Sequence, residues 1–153
     1  MMRAAGAIAA GVALVGGAYF AFGPGTAGSG QMALRADDPQ TVELGAGIYA
    51  ANCAACHGVD LEGQPDWRRP GPEGRLPAPP HDASGHTWHH DDDALFRLTK
   101  YGIGNMIDDQ DYASDMPIYE DILTDEQIIA ALSYIKSTWP QEIRDAHDAM
   151  RPR

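Results

Sequence analysis

Apolar residues fall along this chain in four blocks of different character. The first is continuous, running from Ala4 to Phe22 as AAGAIAAGVALVGGAYFAF, 19 residues without a charge. As a helix at roughly 1.5 Å per residue it spans about 28 Å, close to the hydrocarbon thickness of a bilayer. The second is a loose stripe of Val42, Leu44, Ile48 and Tyr49. It follows Asp37 or Asp38 as the N-cap and Pro39 in the first turn, and predicts a helix ending near Cys53. The third, DDDALFRLTKYG, sets Leu95, Phe96 and Leu98 inward, with one of Asp91–Asp93 as cap and Gly102 as stop. The fourth is the most regular. Ile128, Leu132, Ile135 and Trp139 recur at i, i+4, i+7 and i+11 behind a capping box of Thr124 and Gln127, and Pro140 ends the run.

Between these blocks the chain reads as loop. Residues 58–85 hold too many prolines and glycines for long regular structure, and residues 103–123 show no sustained period. No alternation marks a strand. The expected class is all-α, with three main helices and long loops. The organisation is an N-terminal signal or membrane anchor at 1–22, a flexible linker at 23–36, a domain at 37–140 and a polar tail at 141–153 compatible with a helix. Three helices give a thin apolar core for a domain of this size, so something else is expected to complete it.

Charge narrows the partners. The chain carries 22 acidic and 11 basic residues, and every acidic one lies beyond Ala36. Without Arg3 the remainder has a formal charge of −12. Such a surface repels phosphate backbones, which disfavours nucleic acid, and it attracts basic protein surfaces. Arg3 lies before the apolar run, on the side that stays in the cytoplasm. The remainder is therefore expected outside it. Either the domain is held at the cytoplasmic membrane by an N-terminal helix and faces the periplasm, or it is released there by cleavage near GTA at 25–27.

The only cysteines are Cys53 and Cys56, in NCAACHG. A disulfide across Cys-x-x-Cys closes too small a ring to staple the long loops. A dithiol oxidoreductase needs a strand-to-helix context that is missing. Zinc needs two further ligands, which only the cluster of His81, His86, His89 and His90 offers. Haem explains more. On a helical turn Cys53, Cys56 and His57 project from one side, so two thiols can meet the two vinyl groups along one haem edge while the imidazole reaches the iron. Met116, followed by Pro117, is the leading sixth ligand, although a methionine by itself is as readily a packing residue. Met106 is the other sulfur in that region.

In GAGIYAANCAACHG, DMP and LTDEQIIAALSYIKSTWP, in that order, the chain resembles a class I c-type cytochrome over residues 41–140. The resemblance implies an all-α fold wrapped round one covalently bound haem c, with His57 and Met116 as axial ligands. It implies an electron-transfer protein, a monomeric domain, rather than an enzyme. It further implies that the first and last helices cross closely where Gly45 admits Tyr134. A proline carbonyl is expected to accept the Nδ1–H of His57, and Pro79 is the choice among three prolines. The alternatives are a fixed haem relay inside a larger oxidoreductase, or a haem enzyme or sensor whose sixth site is open or filled by histidine.

The segment PPHDASGHTWHH departs from that pattern in its length and its histidines. It is expected to form a polar lid, with Trp88 packing on the haem and a histidine or Arg75 bonding a propionate. Its other readings are inert exposed histidines, a histidine replacing Met116, or an additional metal such as copper on His86, His89 and His90.

Overall fold

The computed structural model of the chain describes residues 32–109 and 111–150. The described residues form six helices and one 3-10 turn, with no strand. Helix α1 covers Pro39–Asn52 and α2 covers Ala54–His57; the 3-10 turn is Thr87–His89. Then come α3 (Asp92–Tyr101), α4 (Ile103–Met106), α5 (Asp125–Ser137) and α6 (Gln141–Asp148).

Local chemistry starts these helices as expected. The Asp38 carboxylate accepts from the Gln40 N–H, and Asp91 accepts from the Ala94 N–H at 2.8 Å. At α5 the reciprocal box closes: Thr124 accepts from Gln127 N–H while the Gln127 side chain accepts from Thr124 N–H. Gly102, at φ +83°, stops α3 in a conformation that a side chain disfavours.

The dominant packing is α1 against α5. Ile128, Leu132, Ile135 and Trp139 are all buried, as their spacing predicts. On α1 the stripe is read differently. Its buried face is Thr41, Gly45 and Tyr49, and Leu44 is 51 % exposed. Glycine decides this orientation, because at position 45 the helix backbone lies against the Ala130 carbonyl, an approach no larger residue permits. Where the backbones meet, the rings of Tyr49 and Tyr134 are tilted at 5.5 Å. Leu95, Phe96, Tyr119 and Leu123 complete the core, and Leu98 is only half-buried.

Both ends of the domain extend past the expected boundaries. Residues 32–36, expected as tether, pack onto the fold. Leu34 is buried, its N–H donates to Asp92 Oδ2 at 3.0 Å, and Arg35 N–H donates to Ser133 Oγ at 2.9 Å. The tail contributes α6, whose His147 is buried with its ring edge-on to Trp139 at 5.1 Å. The apolar run from Ala4 to Phe22 lies outside the described residues. Among the described residues no helix is long and apolar enough to cross a membrane.

Charge is buried where α3, α5 and α6 meet. Asp92 and Lys136 are each 2 % exposed. Lys136 Nζ lies 2.5 Å from Asp148 and 3.6 Å from Asp92, and His147 Nδ1 is also 3.6 Å from Asp92. Burial pushes His147 below the ordinary histidine range and Lys136 adds to this. Asp92, the His90 backbone and Asp148 pull the other way.

Candidate functional site

Helix α1 breaks at Cys53 (φ −117°, ψ −37°) and restarts at once as α2. The turn stays helical across the break, with His57 N–H on Cys53 O at 2.9 Å, so Cys53, Cys56 and His57 face the same side. The two thiols are unbonded, Cys53 half-buried and Cys56 exposed. Burial, then the neighbouring Cys56, pushes the Cys53 thiol up to about 11.

The His57 side chain is buried, and its Nδ1 lies 2.8 Å from the Pro79 carbonyl oxygen. A carbonyl can only accept, so the Nδ1 carries the proton and the Nε2 lone pair is left for a metal. Burial lowers the affinity of this ring for a second proton, against a smaller opposite pull from Pro79. The ring is thus kept neutral, the form that ligates.

Two tyrosines fasten the region. Tyr49 donates to Gly58 O at 2.8 Å just past α2. Tyr119 donates to Asn52 O at 2.7 Å at the end of α1, while its own N–H meets Thr99 O. Tyr119 follows Met116 by three residues, so the methionine loop is tied directly to the cysteine turn. Met116 is half-buried against the core, and its N–H donates to Ser114 Oγ. Met106 ends α4, also half-buried. Arg75 is found on the Asp115 carboxylate, where it clasps the 58–85 loop to the methionine loop.

The four histidines of the departing segment meet different rings, and His86 and His90 meet each other. His81 stacks on His57, with ring centroids 3.9 Å apart and planes at 23°. His86 stacks on Trp67 at 5.3 Å, with Arg68 over the same indole. His89 stacks on Trp88 at 3.7 Å, and His90 meets His86 edge-on. No group of three or more His, Cys, Asp or Glu side chains among the described residues could hold a metal ion. The zinc and copper readings therefore have no geometry behind them. Consecutive histidines point to different neighbours, and His81 is taken up by His57.

These residues fit a haem. Two free thiols and a neutral imidazole share one side of a turn, and Trp88 Nε1 is buried with no hydrogen-bond partner, a donor suited to a propionate. Sequence reasoning missed Tyr119, Thr87 and the stacking of His81. Only Tyr119 carried a signal, its nearness to Met116.

A family model described as cytochrome c matches residues 42–139. No curated protein and no solved structure matches the chain.

Proposed function

The chain belongs to the cytochrome c family and is a haem-based electron carrier; we propose that Cys53 and Cys56 hold its haem by thioether bonds and that His57 and Met116 are the axial ligands. The observation that carries this reading is the His57–Pro79 hydrogen bond on the Cys-x-x-Cys-His turn, which fixes the tautomer that presents Nε2. Bound there, haem c supplies one-electron chemistry at its iron.

Each chain residue has a distinct task. Cys53 and Cys56 would hold the haem through its two vinyl groups, so that it would stay attached in both oxidation states. Pro79 polarises the His57 imidazole and makes it a better donor. Met116 would supply a thioether as the second protein ligand, which would favour the reduced state and leave no position for exogenous ligands. Tyr119 and the Arg75–Asp115 clasp flank Met116 on both sides, which keeps rearrangement small when the charge changes. Trp88 Nε1 donates to a propionate.

Partners are basic redox proteins. From Tyr101 to Ile135 the chain has eight acidic side chains and no lysine or arginine. Ile107, Ile118 and Ile122 in that stretch are each more than half exposed. Asp115, Asp125 and Glu126 of that stretch pair with Arg75, Lys100 and Arg35; its other carboxylates and exposed apolar side chains suit a lysine-rimmed partner, with affinity that falls as salt rises. The uncharged run from Ala4 to Phe22 behind Arg3 supports a domain at the outer face of the cytoplasmic membrane. A reporter fused after residue 30 is accordingly expected in the membrane fraction outside the cytoplasm; soluble reporter trimmed near residue 27 would show a cleaved signal instead.

The test of the carrier reading is the ferric absorption spectrum of the matured protein beside Met116→Ala. Wild type is expected to show the weak sulfur-to-iron charge-transfer band and the variant to lose it. Cys56→Ser is expected to lose normal two-link attachment on a denaturing gel. A wild type without the band removes Met116 as ligand, and unchanged attachment in Cys56→Ser removes the covalent assignment.

A further inference from the structure

We propose that His81 is a positioning residue for His57, its ring packed face to face on the ligand imidazole so as to set the rotation of that imidazole about its bond to iron. This rests on His57 being the axial ligand.

An imidazole bound to a metal through Nε2 and hydrogen-bonded through Nδ1 is held at two points that both lie in its own plane. The hydrogen bond lies off the line of the metal bond and so already limits the ring's rotation, but one contact leaves the ring room to rock about that setting. A further contact, against the face, narrows that range. In this chain the Nδ1 contact is Pro79 O at 2.8 Å, and the face contact is the His81 ring at 3.9 Å and 23°. Nearly parallel stacking of two flat rings resists rotation of either, whereas a branched aliphatic side chain offers no flat surface to register against.

A ring that positions another must itself be held, and His81 is held from four directions. Its Nδ1 lies 2.8 Å from Thr87 Oγ1, and that hydroxyl lies 3.4 Å from Pro80 O. A threonine hydroxyl donating to Pro80 is left to accept, so Nδ1–H of His81 is its donor. The backbone N–H of His81 donates to Leu61 O at 2.8 Å, and its carbonyl accepts from Trp139 Nε1 at 2.8 Å. The ring also meets Tyr49 at 71°, 6.2 Å between centroids. Leu61, which supplies one of these acceptors, itself sits at φ +66°, a left-handed conformation that a side-chain-bearing residue disfavours. Tyr49 of α1 and Thr87 of the 3-10 turn thus meet the His81 ring, while Leu61 and Trp139, just past α5, hold its backbone. Filling space would not call for a polar ring, since a buried imidazole needs a partner that leucine does not.

The orientation of an axial imidazole plane sets its overlap with the iron d orbitals and so the magnetic asymmetry of the ferric state. The experiment compares matured wild type, His81→Leu, His81→Phe and Thr87→Val for haem per chain, ferric g-values and the spread of the haem methyl proton shifts. His81→Leu is expected to keep one haem per chain while its g-values and methyl spread move well outside the line width. His81→Phe, which restores a flat face, is expected to return them towards wild type, and Thr87→Val to shift them partway. His81→Leu with wild-type values, or Leu and Phe variants displaced alike, overturns the proposal. If His81→Leu does not mature, Thr87→Val decides, and unchanged values there overturn it. A wild type with no signature of a low-spin axial histidine overturns the ligand assignment itself, a result separate from all of these.

Discussion

Gly45→Val is expected to leave the chain without a stable fold, and Gly45→Ala to lower its stability by about 3 kcal/mol, the upper end for overpacking. A Cβ at this position would lie 1.9 Å from the Ala130 carbonyl oxygen, 2.5 Å from its carbon and 2.9 Å from Tyr134 Cβ. These atoms are backbone or the root of a side chain, so no rotamer change relieves them. Helices α1 and α5 must separate, which parts Tyr49 from Tyr134 and loosens the face carrying Ile128 and Leu132. A domain with an ordinary margin of about 5–15 kcal/mol tolerates the alanine but not the branched side chain. Gly47, two residues on, is the control. Nothing lies within 4 Å of a Cβ there, so Gly47→Ala is expected to be stabilising by about 0.5–1 kcal/mol through helix propensity. Urea midpoints followed by helical circular dichroism measure all three. Equal midpoints for the Gly45→Ala and Gly47→Ala proteins would contradict the close crossing.

Asp92→Ala is expected to cost about 3–5 kcal/mol, the range for removing one member of a buried ion pair. The substitution takes from Lys136 one of its two carboxylates and from Leu34 its N–H acceptor, in a place where Lys136 is 2 % exposed. The pair of Arg35 and Glu126, side chains 45 % and 69 % exposed, sits in water, and Glu126→Ala is expected to cost under about 1 kcal/mol. The same network carries a pH dependence. His147 is held below the ordinary histidine value of about 6.5. As pH falls, the unfolded chain therefore takes up its proton first. The stability involved is complete above about pH 6.5 and is lost on acidification until the folded ring is itself protonated. The midpoint difference between wild type and His147→Phe should narrow from pH 8 to pH 5; a constant difference would show that His147 does not titrate differently on folding.

Some of this was open to sequence reasoning and some was not, for physical reasons. The α5 face was legible because four large apolar residues at helical spacing can satisfy only one packing. The cysteine turn was legible because few chemistries need two thiols and an imidazole at that spacing. The α1 face was misread at Leu44, since a glycine carries no hydrophobic signal yet here decides which side the partner approaches. Lys136, Asp92 and His147 each look solvated one at a time, and only the meeting of three helices makes them neighbours. Leu34 and His147, outside the expected bounds of 37 and 140, were illegible for the same reason: they find their partners far away in the chain. The histidines of 81–90 were expected in a polar lid, with a shared metal among the other readings; loop geometry instead stacks three of them on His57, Trp67 and Trp88 and sets His90 against His86.

The α1–α5 crossing also has a consequence in time. Gly45 and Ala130 are about 85 residues apart, and a contact that distant must overcome loop-closure entropy before it gives anything back. The amino-terminal helix leaves the ribosome long before the helix that will cover it. Until α5 has been made, the face of α1 formed by Thr41, Gly45 and Tyr49 has no mate. That face waits uncovered in the nascent chain, and the arrival of α5 ends the interval.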